Sequence, residues 1–219
     1  FIDNNLEMGK KIFTQLLKAD TVFTETYYYL GRIYYELNKP DSILYFCNKA
    51  IAQNPLYASV YNLLALHYFR LHDITNMIKN AKKALQIDTL YANAYNTLGI
   101  GYLQSDSLYI AKSAFQKAIK LYPDYPLVYN NLGITFERMG ENNDALDAYY
   151  QALKIDSGFS ETYANVGNIL MKKSNYKEAI IMLTRAMEQG SDHWILHYNI
   201  GASYYFLNLF ENSIESFEK

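Results

Sequence analysis

Apolar residues recur on helical rather than strand spacing along the whole chain. Tyr95, Leu98, Gly99 and Tyr102 fall on one face of a 3.6-residue period, and Ala111, Phe115, Ala118 and Ile119 form a second such run. The two runs predict two amphipathic helices, and the same pair returns repeatedly. Breakers stand inside each pair: Asn38 and Pro40 before Ile43, Gly140 after Arg138 and Met139, and Ser174 ahead of the run that begins near Tyr176. Others separate one pair from the next, at Asn54-Pro55, Asp88-Thr89, Tyr122-Pro123 and Asp156-Ser157. Pro126 suits a first helical turn, where its missing N–H costs nothing.

The recurrence has one fixed step. Gly31, Gly99, Gly133, Gly167 and Gly201, with Ala65 in the single gap, are spaced at 34 residues or a multiple of it. Tyrosine stands four residues earlier at Tyr27, Tyr61, Tyr95, Tyr129 and Tyr163, with His197 in the sixth copy. In the second half of the unit a small residue returns at Ala50, Ala84, Ala118, Ala152 and Ala186. Small residues let helices approach closely while the aromatics fill the space beside them. One such hairpin cannot bury both of its faces, so neighbours must stack into a solenoid.

These positions resemble the tetratricopeptide repeat, whose signature is an aromatic, then Leu-Gly, then Tyr, and later Ala, Phe and Pro. The unit from Ala92 to Tyr125 carries Tyr95, Leu98-Gly99, Tyr102, Ala111, Phe115, Ala118 and Pro123 in those places. The resemblance implies an all-α fold, a right-handed superhelical solenoid of stacked antiparallel helix pairs. In it the first helix of each pair lines a concave groove and the second forms the outer wall. Complete repeats are expected at 24–57, 58–91, 92–125, 126–159 and 160–193. Residues 1–23 read as the second half of an earlier repeat, since the run from Leu16 to Phe23 parallels that from Ala152 to Phe159. Residues 194–219 read as an incomplete sixth repeat. The expectation is one continuous solenoid domain belonging to a longer protein.

Composition narrows the chemistry. A formal net charge of −2 and four prolines in 219 residues argue against a basic nucleic-acid surface and against a disordered linker. No apolar run is long enough to insert into a membrane. The 23 tyrosines are the unusual entry, and the repeat absorbs many of them. Without a basic stripe beside them, base stacking is disfavoured. Cys47 takes the place held by Phe115, Tyr149 and Leu183 elsewhere, so it is expected to be a buried thiol. Gly99-Ile100-Gly101 has the look of a phosphate loop, but no strand precedes it and the period already explains Gly99. His193 and His197, with Asp192 beside them, have a spacing that suits a metal on one helical face, yet both replace packing aromatics of other repeats. No catalytic motif survives this comparison, and neither a metal site nor a cofactor is expected. Localisation is left open, cytoplasmic by default and exported if a signal was removed.

In the repeat family the groove is built from positions 2, 5, 6, 9, 12 and 13 of each unit. Two asparagine rows stand out there. Asn131, Asn165 and Asn199 share the sixth position, and Asn62, Asn96 and Asn130 the fifth. An amide offers both a donor and an acceptor, so a row of them can pair with the backbone of an extended peptide without reading its side chains. Leu66, Ile100 and Ile134 at the ninth position would accept apolar side chains, with Tyr28, Asn168 and Tyr198 completing the expected site. The row is similar to that of the repeats in O-linked N-acetylglucosamine transferases. Chaperone-binding members instead grip a terminal carboxylate with Lys or Arg at positions 2, 5 and 6, and no unit here has either residue there. The reading is a non-catalytic scaffold for a protein or peptide partner. Its alternative is the substrate-recruiting arm of a larger multidomain protein, such as a glycosyltransferase, a signalling protein or a secretion component. Self-association through uncapped ends is a further route.

Overall fold

The computed structural model describes residues 2–18, 23–191 and 193–219. Part of the expected parallel between Leu16–Phe23 and Ala152–Phe159 therefore lies outside the described residues, as does Asp192. Among the described residues there are thirteen α-helices and no strand. The chain divides into two compact units, Phe1–Leu121 and Tyr122–Lys219. The first holds α1 (Ile2–Leu16), α2 (Thr24–Glu36), α3 (Pro40–Gln53), α4 (Ala58–Arg70), α5 (Ile74–Ile87), α6 (Ala92–Gln104) and α7 (Leu108–Leu121). The second holds α8 (Pro126–Arg138), α9 (Asn142–Ile155), α10 (Ser160–Lys172), α11 (Tyr176–Glu188), α12 (Trp194–Phe206) and α13 (Phe210–Phe217). In each unit the helices pack as antiparallel hairpins, α2 with α3 and α8 with α9 for example. Each hairpin stacks on the next within its unit, through contacts such as α3 with α4 and α9 with α10. Both units are solenoids of helix pairs.

The helix ends follow from local chemistry. At the turn inside each pair one residue adopts the left-handed conformation: Asn38, His72, Asp106, Ser174 and Asn208 at φ between 52° and 60°, and Gly140 at 79°. That residue lets the next amide reach back to the helix it leaves, as Lys39 N–H does to the Tyr34 carbonyl at 2.9 Å and Glu141 N–H to Phe136 at 2.9 Å. Between pairs an Asx turn closes the exit. Asn54 accepts from Leu56 N–H at 3.0 Å, Asp88 from Leu90 at 2.9 Å and Asp156 from Gly158 at 2.8 Å. Asp73 caps α5 by accepting from Asn76 N–H at 3.0 Å.

The core has the same 34-residue period as the sequence. The alanines Ala50, Ala84, Ala118, Ala152 and Ala186 are all fully buried. The recurrent glycine faces one particular residue of the second helix, sixteen positions later in the unit. A Cβ on Gly99 would lie 2.5 Å from the Phe115 ring, on Gly133 2.4 Å from Tyr149, and on Gly167 2.6 Å from Leu183. Where the first helix carries a methyl instead, at Ala65, the facing residue shrinks to Ala81, and the two share one buried cluster. Cys47 holds this facing position opposite Gly31. It is fully buried and free, and burial pushes its thiol up to about 12, so it packs as a small apolar side chain.

His67, on α4, is 2% exposed and its Nε2 meets no hydrogen-bond partner. Burial, then the Arg70 charge, hold its pKa below the ordinary 6.5. The neutral imidazole is therefore the form the fold accepts.

Two outcomes follow for stability. Gly133→Ala drives a methyl into the Tyr149 ring and is expected to cost roughly 1–3 kcal/mol in urea unfolding. Gly140→Ala, where no atom lies within 4 Å, is expected to cost less, through its positive φ alone. Equal midpoints for the two variants would contradict the packing account. For His67 the folded pKa lies below the unfolded one, so its share of stability is intact above about pH 6.5 and is lost as the pH falls through the folded value. Unfolding at about pH 7.5 and pH 5.5 is expected to show the loss in the parent protein and little of it in His67→Leu.

Candidate peptide-binding face

The fifth-position asparagines are buried on the first helices. Asn62, Asn96 and Asn130 are 6%, 5% and 2% exposed. In the second unit the Asn130 Oδ1, on α8, accepts from the Thr162 hydroxyl at 2.9 Å and from Asn165 Nδ2 at 3.3 Å, both on α10. One buried amide thus ties two successive repeats together. In the first unit the corresponding oxygen, Asn62 Oδ1, is buried without a partner. The repeat explains the difference, because the position of Thr162 is held there by Ala94, which has no hydroxyl.

The sixth-position row divides. Asn131 is buried, and its backbone carbonyl accepts from the Thr135 hydroxyl at 2.8 Å. Asn165 and Asn199 are half-buried on the first-helix face of the second unit. Asn199 Nδ2, on α12, donates to Asn168 Oδ1, on α10, at 2.8 Å. Both half-buried amides therefore spend their nitrogen on a neighbouring helix. Each leaves its oxygen uncommitted, and an uncommitted oxygen accepts from N–H groups. Asn168 and Ile134 are half-buried on first helices of the same unit, and Tyr198 is 55% exposed.

Electrostatic ties on this face were not apparent from the motif positions. Lys172 Nζ sits 2.6 Å from Glu137 Oε1, and the Tyr149 hydroxyl donates to Glu137 Oε2 at 3.2 Å. Burial first, then Glu137, raise the Tyr149 pKa, so this phenol stays protonated. The carboxylate is thereby fixed between α8, α9 and α10.

The first unit has a different surface. Tyr28, Leu66 and Ile100 are half-buried on its first helices. Around Tyr28 lie Tyr29, with ring centroids 5.2 Å apart, and Tyr57, edge-on at 5.4 Å. The Arg70 guanidinium stacks 3.5 Å from the Tyr35 ring centroid and donates to the Tyr35 backbone carbonyl. Tyr57 and Tyr91 stand just before α4 and α6, at a recurrent aromatic position that the sequence reads as packing. His193, at the same position, is exposed, and His197 is half-buried. Among the described residues no three His, Cys, Asp or Glu side chains are grouped to hold a metal ion. No helix there is long and apolar enough to cross a membrane.

The Asn130 tie predicts paired outcomes of opposite sign. Thr162→Val removes a buried donor and is expected to cost about 1 kcal/mol, whereas Ala94→Thr supplies one to Asn62 and is expected to restore a similar amount. Denaturant unfolding checks both, and destabilisation by Ala94→Thr would contradict the proposed equivalence of the two sites.

The fold has counterparts in known proteins. Two tetratricopeptide-repeat models match the chain, at residues 90–157 and 160–189. No curated protein matches it. Among solved structures, MamA is 27% identical, with 73% of this chain and 94% of that one covered at a TM-score of 0.64. PilF of Pseudomonas aeruginosa is 17% identical, with 88% of each chain covered at a TM-score of 0.82. YrrB, described as a TPR protein with an unusual peptide-binding site, is 24% identical, with 78% of this chain and 88% of that one covered at a TM-score of 0.64. The period seen in the matched segments runs in the same register through Gly31 and Ala65 upstream and Gly201 downstream, so the chain belongs to the tetratricopeptide repeat family.

Proposed function

We propose that the protein is a non-catalytic scaffold that holds an extended peptide segment of a partner on the first-helix faces of its repeats. The observation that carries this reading is the orientation of Asn165 and Asn199, whose nitrogens are bound to neighbouring groups while their oxygens stay free. Two such acceptors, one repeat apart, suit backbone N–H groups, which every sequence carries. Asn168 and Tyr198 flank them, and in the first unit Tyr28, Leu66 and Ile100 offer apolar contact to side chains. Asn130 and Asn131 are buried on the first helices of the second unit, and Asn62 and Asn96 on those of the first. A peptide-binding member with the same fold, YrrB, favours the same type of ligand. Tetratricopeptide-repeat proteins are in general interaction scaffolds rather than catalysts.

The test uses random peptides amidated at the C-terminus, with and without backbone N-methylation. The parent protein is expected to retain the unmethylated pool and to lose the methylated one. Asn165→Ala with Asn199→Ala is expected to weaken retention by roughly ten-fold, the effect of two hydrogen bonds of about 0.5–1.5 kcal/mol each. Equal retention of the two pools, or of parent and variant, would overturn the assignment.

A further inference from the structure

The tyrosine cluster of the first unit contains more polar groups than packing needs. Tyr28 meets Tyr29 and Tyr57 ring to ring, and the Arg32 guanidinium lies 6.0 Å from the Tyr28 centroid. Tyr28 is influenced by Tyr91, Arg32 and Tyr29, and Tyr57 by Glu25, Tyr28, Tyr29 and Tyr91. Burial, then Glu25 and the neighbouring phenols, push Tyr57 up to about 12, so its hydroxyl remains a proton donor through the physiological range. Arg32 has no carboxylate partner among the described residues, although Glu25 and Glu36 stand on the same helix. The hydroxyls of Tyr29, Tyr57 and Tyr91 donate to no protein acceptor there.

We propose that Tyr28, Tyr29, Tyr57 and Arg32 form a recognition site for a carboxylate side chain, an Asp or Glu carried on an extended partner peptide. The proposal rests on the reading of the first-helix face as peptide-binding. Charge decides the ligand class. A guanidinium can only donate and phenol hydroxyls donate readily, so Arg32 and the phenols offer donors, with Glu25 the carboxylate beside them. A cation on the rings would have to share the Tyr28 face with Arg32 and would be repelled by it. A carboxylate meets Arg32 and the ring edges instead, where the aromatic quadrupole is positive. Tyr and Arg together are also the residues that dominate binding energy in protein interfaces. Glu25 opposes the bound acid and tempers its affinity.

The test uses octapeptides amidated at the C-terminus, random except for one fixed central residue, which is Glu, Gln or Lys in three separate pools. The parent protein is expected to retain the Glu pool roughly ten-fold better than the Gln pool, as a charge-assisted hydrogen bond allows, and the Lys pool least. Arg32→Gln should bring the Glu pool down to the level of the Gln pool, while Glu25→Gln should raise it. Both positions are exposed, and circular dichroism checks that each variant remains helical. Preference for the Lys pool, lost in Glu25→Gln, would overturn the proposal in favour of a cation site. Equal retention of all three pools would overturn it while leaving peptide binding intact. Retention of none would overturn peptide binding and this site together.

Discussion

A methyl group has no room at the helix crossings of the hairpins that begin with α6, α8 and α10. At Gly99, Gly133 and Gly167 the facing ring or branched side chain lies closer than any real Cβ contact allows. The helices are thus drawn together by one atom's absence, and a large side chain fills the remaining space. Phe115, Tyr149 and Leu183 are each fully buried as a result. The pair Ala65 and Ala81 obeys the same constraint with the volume shared differently. Dense packing of this kind transmits any change of volume to its neighbours. Those crossings fix the first helices that carry Asn96, Asn130 and Asn165.

Above the apolar layer each unit adds its own polar chemistry. The second unit binds successive first helices through amides, with Asn130 serving Thr162 and Asn165, and Asn168 serving Asn199. Buried amides that are fully satisfied hold a repeat in register, and a partly satisfied one costs stability. Asn62 is the partly satisfied case, because Ala94 gives it nothing to accept from. The first unit binds its helices through rings and cations, such as Arg70 over Tyr35. One surface thereby offers acceptors suited to backbone and the other offers donors and apolar walls suited to side chains.

Much of the fold was legible in the sequence because glycine, proline and the aromatics carry strong local constraints. The 34-residue step announced a repeated helix pair, and Asn38, Gly140 and Ser174 marked turns that prove to be left-handed. The site was less legible. Position within a repeat places an asparagine on a helix, but its exposure depends on what the following repeat puts opposite. Asn130 is buried because Thr162 and Asn165 close over it, and neither residue is near it in sequence. The sequence did contain a clue, since Thr162 is a hydroxyl where Ala94 and Val128 stand in neighbouring repeats. Tyr57 and Tyr91 look like packing residues by recurrence alone. The edge-on contact of Tyr57 with Tyr28 comes from α2 and α4 lying side by side within the unit.

The claim on which the functional reading turns is that a peptide backbone meets the free amide oxygens of the second unit. A crystal structure of the protein with a retained, C-terminally amidated peptide tests it most directly. Peptide N–H groups are expected to donate to Asn165 Oδ1 and Asn199 Oδ1, with the bonds to Asn130 and Asn168 unchanged. A peptide seated on the second helices, beside Tyr109 or Ile181, or one that leaves both amide oxygens untouched, would contradict it.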